Sequence, residues 1–410
     1  MLSAPIRDLV RSTAPLLQTH GETLTRHFYA RLFEHQPELR AVFNQGHQRS
    51  GQQQQALAGA VAAYAAHIDD PTPLAPVLER IAHKHVSLGI RAEHYGVVGR
   101  HLLASIAEVL GPDLATPELI EAWRQAYGQL AEVLVNAENK LYAQAVSQDG
   151  GWSGWRRFRI DATHLESSEV RSFVLSPQDG GAVCAHLPGQ YVSVRLTVDE
   201  GRLQQARQYS LSQATNGRTL RISVKREDAV GHDGNEASGI QPAGMVSNAL
   251  HAHHQVGDVV EVAPPMGEFV LHTDRSTPVV LLSAGIGVTP IRAMLEHLGR
   301  HQPQRHVWAV HAARDRACLA LHGEVTALLR ELPHAHQRTH LEALDSASAD
   351  EGMLSGRMDL SALARSLPLV DADFYLCGPL GFMRAQMRSL RELGVPASRI
   401  HAEAFGTGGV

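Results

Sequence analysis

The tetrapeptide Arg207-Gln208-Tyr209-Ser210 lies within a stretch of short runs in which apolar and polar residues alternate. The clearest runs are YVSVRL at residues 191–196 and LRISV at residues 220–224, and glycine, proline and asparagine separate them. Alternation with a period of two is typical of half-buried strands, and several short strands joined by such turns favour an antiparallel barrel. We therefore predict an antiparallel β-barrel domain over residues 155–272.

The segment before this β-domain has a different pattern. Residues 1–147 repeat apolar residues at helical spacing, with turn signals at residues 46–51, 69–73 and 111–117. Because this spacing places the apolar side chains of each helix on one face, the sequence predicts an all-α domain.

The segment after the β-domain, residues 277–410, alternates buried apolar runs with helical stretches. The runs are VVLL at residues 279–282, HVWAV at 306–310 and FYLC at 374–377. Continuous apolar strands between helices are typical of a parallel sheet that is covered on both faces. Since 410 residues also exceed what one core usually serves, we expect a multidomain chain that ends in an α/β parallel-sheet domain.

Composition restricts the class of function. A net charge of -5 without a long basic run gives little reason to bind nucleic acid or an acidic membrane. The three cysteines, Cys184, Cys318 and Cys377, are too few for a four-cysteine iron–sulfur cluster and too scattered for a disulfide framework. No signal peptide or membrane-spanning apolar run is found. We expect a cytoplasmic protein with small-molecule partners and no obligate protein partner.

Five polar side chains of the helical segment fall on, or at the margin of, faces that are otherwise apolar. They are Tyr29, Gln53, His85, Tyr95 and Glu138. His83, in the same helix as His85, points the opposite way. Taken singly, each is best interpreted as a hydrogen-bonded core residue. Together they indicate one polar site in a helical core, and because neutral imidazole is a common axial ligand of haem iron, a globin pocket accounts for all five.

Several short motifs support this interpretation. They are Phe28-Tyr29, Pro37-Glu38-Leu39, Phe43-Asn44, Gln48-Arg49, and Lys84-His85 followed by Tyr95. With them, the whole helical segment resembles the globin domain of flavohaemoglobins.

This resemblance implies that His85 is the proximal ligand of haem b, with Tyr95 and Glu138 as its hydrogen-bonded relay. It also implies a distal side. The residues there would be Tyr29, Gln53 and Leu57, with Phe43 against the haem. A carboxylate bonded to the ligating imidazole raises its basicity, and a tyrosine hydroxyl can stabilise dioxygen bound on the distal side.

Arg207-Gln208-Tyr209-Ser210 resembles the flavin motif of the ferredoxin reductase-like family, and a second matching element follows it. This element is Gly244-Met245-Val246-Ser247-Asn248, which opens a helix whose free N–H groups can hold a pyrophosphate. The alternative is that residues 207–210 are only an exposed strand.

The resemblance implies that Arg207 pairs with the FAD phosphates, that Tyr209 packs on the isoalloxazine, and that Ser210 bonds its reactive edge. Phe405 would cover the other face of the ring. The further implied FAD contacts are Tyr191, Gln208, Gly244, Val246, Ser247, Ala404, Gly406 and Thr407. The stretch from Asp228 to Pro242 is longer than is usual in the family, and we predict a surface loop there.

Residues 283–290, SAGIGVTP, follow a buried strand and precede an amphipathic helix, which predicts a phosphate-binding turn. The turn lacks the third glycine of the dinucleotide fingerprint, so a plain Rossmann dehydrogenase is not supported. The turn and Cys377-Gly378-Pro379 instead resemble the two nicotinamide elements of the same reductase family. The implied NAD(P)H-binding residues are Gly285, Ile286, Gly287, Val288, Thr289, Pro290, Cys377, Gly378 and Pro379. NADH and NADPH remain equally open.

A nicotinamide gives up an electron pair whereas haem iron accepts single electrons, so FAD is needed between them. Without an iron–sulfur relay FAD must reach the haem directly, and the resemblance places Lys84 and Glu403 at that junction, where they tune the redox potentials. The activity it implies is that of a nitric oxide dioxygenase, which converts NO and O2 to nitrate with NAD(P)H electrons. Two other functions stay open: a haem and flavin sensor of oxygen or NO, and a flavin reductase of external acceptors.

Overall fold

The structure is a computed structural model that describes residues 2–43, 48, 51–198, 201–229 and 243–405. Most of the loop predicted from Asp228 to Pro242 lies outside these residues, as do the predicted FAD contacts Gly406 and Thr407.

The first segment is all helical, as predicted. Its helices are α1 (Ala4–Ser12), α2 (Ala14–His35), α3 (Gln52–Ala66), α4 (Ala75–Ser87), α5 (Ala92–Leu110) and α6 (Pro117–Ser147). Thr116 begins α6 because its hydroxyl accepts the Leu119 N–H at 3.3 Å. Helix α2 packs against α3 and α5, and α4 packs against α6. The apolar faces meet in one core around the fully buried Phe28 and Leu32.

The second segment is an antiparallel sheet with one helix. Its elements are β1 (Arg156–Leu165), β2 (Val170–Pro177), β3 (Tyr191–Val198), β4 (Leu203–Ser210), β5 (Leu220–Lys225), α7 (Met245–His253) and β6 (Val259–Val262). The strand order is β4-β3-β6-β1-β2-β5. Leu211, directly after β4, forms an antiparallel bridge with Ile222 of β5. The sheet therefore curls so that the chain after β4 reaches β5 at this one bridge, and the antiparallel sheet is as predicted although its described strands do not close into a complete barrel.

The third segment is a parallel sheet with helices, as predicted. Its strands are β7 (Val279–Ala284), β8 (Val307–Ala313), β9 (Ala335–Leu341), β10 (Leu354–Ser355), β11 (Asp373–Gly378) and β12 (Ile400–Ala404). Its helices are α8 (Val288–His301), α9 (His322–Arg330), α10 (Ser346–Asp350), α11 (Leu360–Leu363) and α12 (Leu380–Glu392). The strand order is β10-β9-β8-β7-β11-β12. The chain order reverses between β7 and β11, so their carboxyl ends form the crevice where such sheets bind ligands.

None of the helices within the described ranges has the length and apolarity needed to cross a bilayer.

An ion-pair network centred on the buried Arg221 joins the second and third segments. Arg221 of β5 is 7% exposed and donates to Glu166 at 2.7 Å and to both carboxylate oxygens of Glu324 in α9 at 2.7 and 2.8 Å. Arg292 of α8 donates to Glu324 at 2.7 Å and to the carbonyl of Ser212 at 2.9 Å. Because charge-assisted bonds of this geometry are directional, the network fixes α8 and α9 against the β-sheet.

Removing the central cation of this network is expected to be costly. In Arg221→Met the unfolding free energy should fall by about 3 kcal/mol, because the largely buried Glu166 loses the charge that compensates it, whereas the more exposed Glu324 keeps Arg292. Urea unfolding followed by circular dichroism measures the change. The control is Arg226→Met, whose ion pair with Asp228 is solvent-exposed and whose loss should leave the midpoint unchanged. Equal midpoints for Arg221→Met and the natural chain would contradict a structural role for the network.

His311 of β8 gives the stability a pH dependence. Burial lowers its pKa to about 4, and it lines a small cavity with Val288 and Val325. Its Nδ1 lies 2.8 Å from the hydroxyl of Ser283. An unfolded histidine has a pKa of about 6.5, so between pH 6.5 and pH 4 the unfolded chain binds a proton that the folded chain does not. This contribution to stability is therefore lost as the pH falls through that window.

We expect the natural chain to lose about 2 kcal/mol more unfolding free energy between pH 7 and pH 5 than His311→Asn, whose amide oxygen can still bond Ser283. Urea titrations at the two pH values measure the difference. The exposed residue His164 supplies the control, because His164→Asn should lose as much unfolding free energy between pH 7 and pH 5 as the natural chain does. If His311→Asn and the natural chain lose the same unfolding free energy between pH 7 and pH 5, this histidine does not titrate as described.

Candidate functional site

The structure brings His85, Tyr95 and Glu138 together, although they come from three different helices. The Nδ1 atom of His85 lies 2.8 Å from Oε1 of Glu138 and 3.0 Å from the hydroxyl of Tyr95. The Tyr95 hydroxyl donates to the same Glu138 oxygen at 2.5 Å, and Glu138 is 2% exposed. Burial raises the pKa of Tyr95, and its bond to Glu138 raises it further, so the hydroxyl keeps its proton.

This relay sets the tautomer of His85. A carboxylate can only accept, so the proton of the neutral imidazole lies on Nδ1 and the lone pair lies on Nε2. Within the described parts of the chain, Nε2 has no hydrogen-bond partner. A histidine held in this way has the donor atom and the basicity of an axial haem ligand.

A second polar group is built around Tyr29 of α2. Burial raises the pKa of its hydroxyl, and the neighbouring side chains of Gln53 and Gln48 lower it by less, so the phenol stays protonated. The Tyr29 ring meets Phe43 edge to face at 5.4 Å, and Leu57 packs on the same core. The predicted distal residues therefore do come together. Gln48 is an additional neighbour of Tyr29 that helical periodicity could not identify, because it precedes the start of α3.

The flavin motif forms the end of β4. The register pairs Ser210 with Tyr191 and Tyr209 with Val192 across the β3–β4 ladder. Gln208 reaches the Ser193 hydroxyl at 3.4 Å, so the motif is part of the sheet and not only an exposed strand.

The Tyr209 hydroxyl is buried, and no residue in the described ranges bonds it. Burial also raises the pKa of Tyr209, so the phenol stays neutral. A buried hydroxyl without a protein partner fits a site whose remaining polar group comes from a bound ligand.

Gly244, the N-cap of α7, lies beside this strand because α7 packs on β3 and β4. A Cβ atom at Gly244 would lie 2.5 Å from the hydroxyl of Ser247, so a larger residue there would require the Ser247 side chain to move. Val246 and Ser247, in the first turn of α7, are buried. The two predicted flavin motifs, around Arg207 and Gly244, are thus on neighbouring elements, with a helix start available for a phosphate.

The two predicted nicotinamide elements touch each other at the carboxyl ends of β7 and β11. A Cβ atom at Gly287 would lie 2.1 Å from the carbonyl oxygen of Cys377, and one at Gly378 would lie 3.2 Å from Ala284. Residues 285–287 form a single 3-10 turn before α8. The hydroxyl of Thr289, in the first turn of α8, donates to the Ile286 carbonyl of the 3-10 turn at 2.9 Å. The close approach of the two elements explains why glycine is needed on both sides of the crevice.

The other residues of the two nicotinamide elements lie at the starts of the helices that follow β7 and β11. Val288 and Pro290 start α8, and Pro379 precedes α12. Cys377 is fully buried, and burial raises the pKa of its thiol well above the usual range. The structure thus holds a neutral thiol at the crevice.

Helix α4 meets the β-domain and the end of β12. Burial lowers the pKa of Lys84 and raises the pKa of Glu403 to about 8, and the two groups interact electrostatically. The two residues predicted at the junction are thus close enough to influence each other's charge. Arg80 also bonds Glu268 there at 2.6 Å, a contact that no sequence motif marks. Ala404 ends β12, and Phe405 beyond it is 42% exposed.

Comparisons with known proteins agree with this geometry. The globin family matches residues 26–134, the oxidoreductase FAD-binding domain residues 157–271, and the oxidoreductase NAD-binding domain residues 281–388. The chain is 54% identical to a flavohaemoprotein of Bordetella parapertussis over 100% of both chains. The chain belongs to the flavohaemoprotein family. A relative from Chromobacterium violaceum is 56% identical over 99% of each chain.

Solved structures support the same assignment. A flavohaemoglobin from Malassezia yamatoensis, with bound FAD and haem, has a TM-score of 0.84 and 31% identity, over 99% of this chain and 100% of that chain. The FAD/NAD-binding part of a nitric oxide dioxygenase from Vibrio cholerae has a TM-score of 0.55 and 40% identity, over 61% of this chain and 98% of that chain. The predicted fold class is confirmed, and the chain has one domain for each predicted cofactor: haem, FAD and NAD(P)H.

Proposed function

We propose that this chain is an NAD(P)H-dependent nitric oxide dioxygenase whose function is NO detoxification. Two NO and two O2 give two nitrate ions while one NAD(P)H is oxidised. The observation that carries the proposal is the His85, Tyr95 and Glu138 relay, in a chain that also contains a complete reductase. The Vibrio cholerae relative, a nitric oxide dioxygenase by name, supports it.

The proximal role follows from the relay. When bound, haem b supplies the iron at which NO and O2 react, and FAD divides the electron pair of NAD(P)H into single electrons. His85 would hold the iron through Nε2, while Glu138 accepts a hydrogen bond from the Nδ1–H and keeps the imidazole basic. The Tyr95 hydroxyl donates a hydrogen bond to Glu138 and so fixes the position of the carboxylate. A basic proximal ligand favours oxygen chemistry over simple oxygen storage.

The distal role falls to Tyr29. Its protonated hydroxyl, beside Gln53 and Gln48, can donate to a ligand that gains negative charge. Phe43 and Leu57 make the rest of this side apolar and keep water away from that donor.

Two pairs of motifs would bind the reductase cofactors, one pair for FAD and one for NAD(P)H. We infer that Arg207 and the start of α7 at Gly244 hold the FAD phosphates, and that Tyr209, Ser210 and Tyr191 contact the flavin ring. The turn at residues 285–290, together with residues 377–379, would hold the nicotinamide at the switch point.

A single-turnover experiment tests the proposal. Holoprotein that NADH has reduced in air is mixed with one equivalent of NO, and we expect one nitrate per haem together with ferric haem. Binding of NO without nitrate would indicate a sensor. NADH oxidation that does not respond to NO would indicate a flavin reductase of external acceptors.

We also infer a cytoplasmic location, because three unpaired cysteines suit a reducing compartment. The expected partners are NO and O2. Fractionation of cells that express the chain tests the location, and recovery outside the cytoplasm would contradict it.

A further inference from the structure

Helix α4 presents a second face to the β-domain, on the side away from His85. Arg80 is followed by His83 and Lys84 three and four residues later, and by Ser87 seven residues later, so the four side chains lie on one face of the helix. We call this stripe the junction face. Arg80 and His83 form hydrogen bonds with residues of the β-domain. Lys84 interacts electrostatically with Glu403, and Ser87 lies near the hydroxyl of Tyr191.

His83 makes the most specific of these contacts. The backbone N–H of Gly267 donates to Nδ1 of His83 at 3.1 Å, across 184 residues of sequence. Since Nδ1 accepts, the ring proton lies on Nε2. Beside it, Arg80 and Glu268 form an ion pair between side chains that are 51% and 26% exposed. Long exposed side chains keep many rotamers, so the bond from a backbone amide to a ring fixes the distance between the domains more tightly.

Gly267 is itself pressed against Tyr191. Its φ is +117°, and a Cβ atom there would lie 3.0 Å from the Tyr191 ring. The preceding residue, Met266, exchanges two backbone hydrogen bonds of 2.9 Å with Tyr191. Tyr191 and Met266 also pack with Val86 of α4 in one buried apolar cluster. A contact that fixes the position of Gly267 therefore also fixes the position of Tyr191.

We propose that His83 is a positioning residue for electron transfer from FAD to haem. By accepting the Gly267 N–H, it fixes the segment around Tyr191 to the helix that carries His85. This inference rests on the proposed function, because it needs haem on His85 and FAD beside Tyr191. His83 is neither oxidised nor reduced: each electron leaves reduced FAD and converts ferric iron to ferrous iron.

The test uses two variants of the full-length holoprotein. His83→Leu removes the acceptor, whereas His83→Asn places an amide oxygen near the position of Nδ1. Stopped-flow spectroscopy follows FAD reduction by NADH and then haem reduction, without NO. In His83→Leu we expect haem reduction to slow by about tenfold or more, with FAD reduction unchanged. His83→Asn should recover a rate within about threefold of the natural one. A rate of haem reduction in His83→Leu equal to that of the natural chain, or a rate in His83→Asn as slow as that in His83→Leu, would overturn the proposal.

A second readout does not depend on turnover. Hydrogen exchange of a peptide that covers residues 263–269 should be faster in His83→Leu than in the natural chain and in His83→Asn, because the Gly267 amide loses its acceptor. Equal exchange in all three chains would also overturn the proposal. The single-turnover nitrate experiment on the natural chain stands apart from both readouts, so failure of the dioxygenase proposal can be told from failure of this one.

Discussion

His85→Gly protein is expected to purify without its normal haem content and to consume NO more than about a hundredfold more slowly than the natural chain. Changing a group that only supports a metal ligand already costs 10–100-fold, and here the proposed ligand itself is removed. Haem content from the visible spectrum and NO consumption at an electrode measure the result.

Two controls separate ligation from folding in this experiment. FAD reduction by NADH should be unchanged, since the reductase domains have their own cores. Added imidazole should restore part of the haem spectrum, because it can bond Glu138 and supply a nitrogen lone pair. The matched variant is His67→Ala, at the exposed end of α3, and it should behave as the natural chain does. Normal haem content and NO consumption in His85→Gly would refute the proximal assignment.

Tyr29→Phe is expected to lower NO consumption by about a hundredfold while haem content and the rate of haem reduction stay unchanged. The substitution removes only a hydroxyl, and loss of one donor of this kind costs 10²–10³-fold in rate. The steady-state rate at an NO electrode and stopped-flow haem reduction measure the two quantities separately.

Tyr64→Phe is the matched control for this prediction. Tyr64 is a buried tyrosine of the same core, but its hydroxyl donates to the carbonyl of Ala126 at 3.1 Å. Its loss should reduce stability slightly and leave NO consumption within about twofold, since one ordinary hydrogen bond contributes only about 1 kcal/mol to folding. Equal effects of the two substitutions would mean that Tyr29 supports the fold and not the reaction.

The sequence predicts the relay at His85 because each partner obeys helical periodicity. Tyr95 and Glu138 fall on apolar faces of their own helices, and a buried carboxylate needs a partner, so one shared site is the simplest explanation. The nicotinamide turn is also predictable, because Gly287 marks a place where backbone segments must approach closely.

The contacts between domains were not predictable in the same way. Arg221 and Glu324 are 103 residues apart, and His83 and Gly267 are 184 apart. Neither pair has a periodic pattern or a motif, because each depends on how separately folded domains pack. A charged residue such as Arg221 in an alternating strand looks like a solvent-facing position until the neighbouring domain covers it.

The central claim is tested most directly by counting products. Aerobic holoprotein is supplied with NADH and NO, and NADH oxidation, NO consumption and nitrate are measured together. The account predicts two nitrate ions formed and two NO consumed for each NADH oxidised beyond the background. NADH oxidation at the same rate without NO, with no nitrate formed, would contradict it.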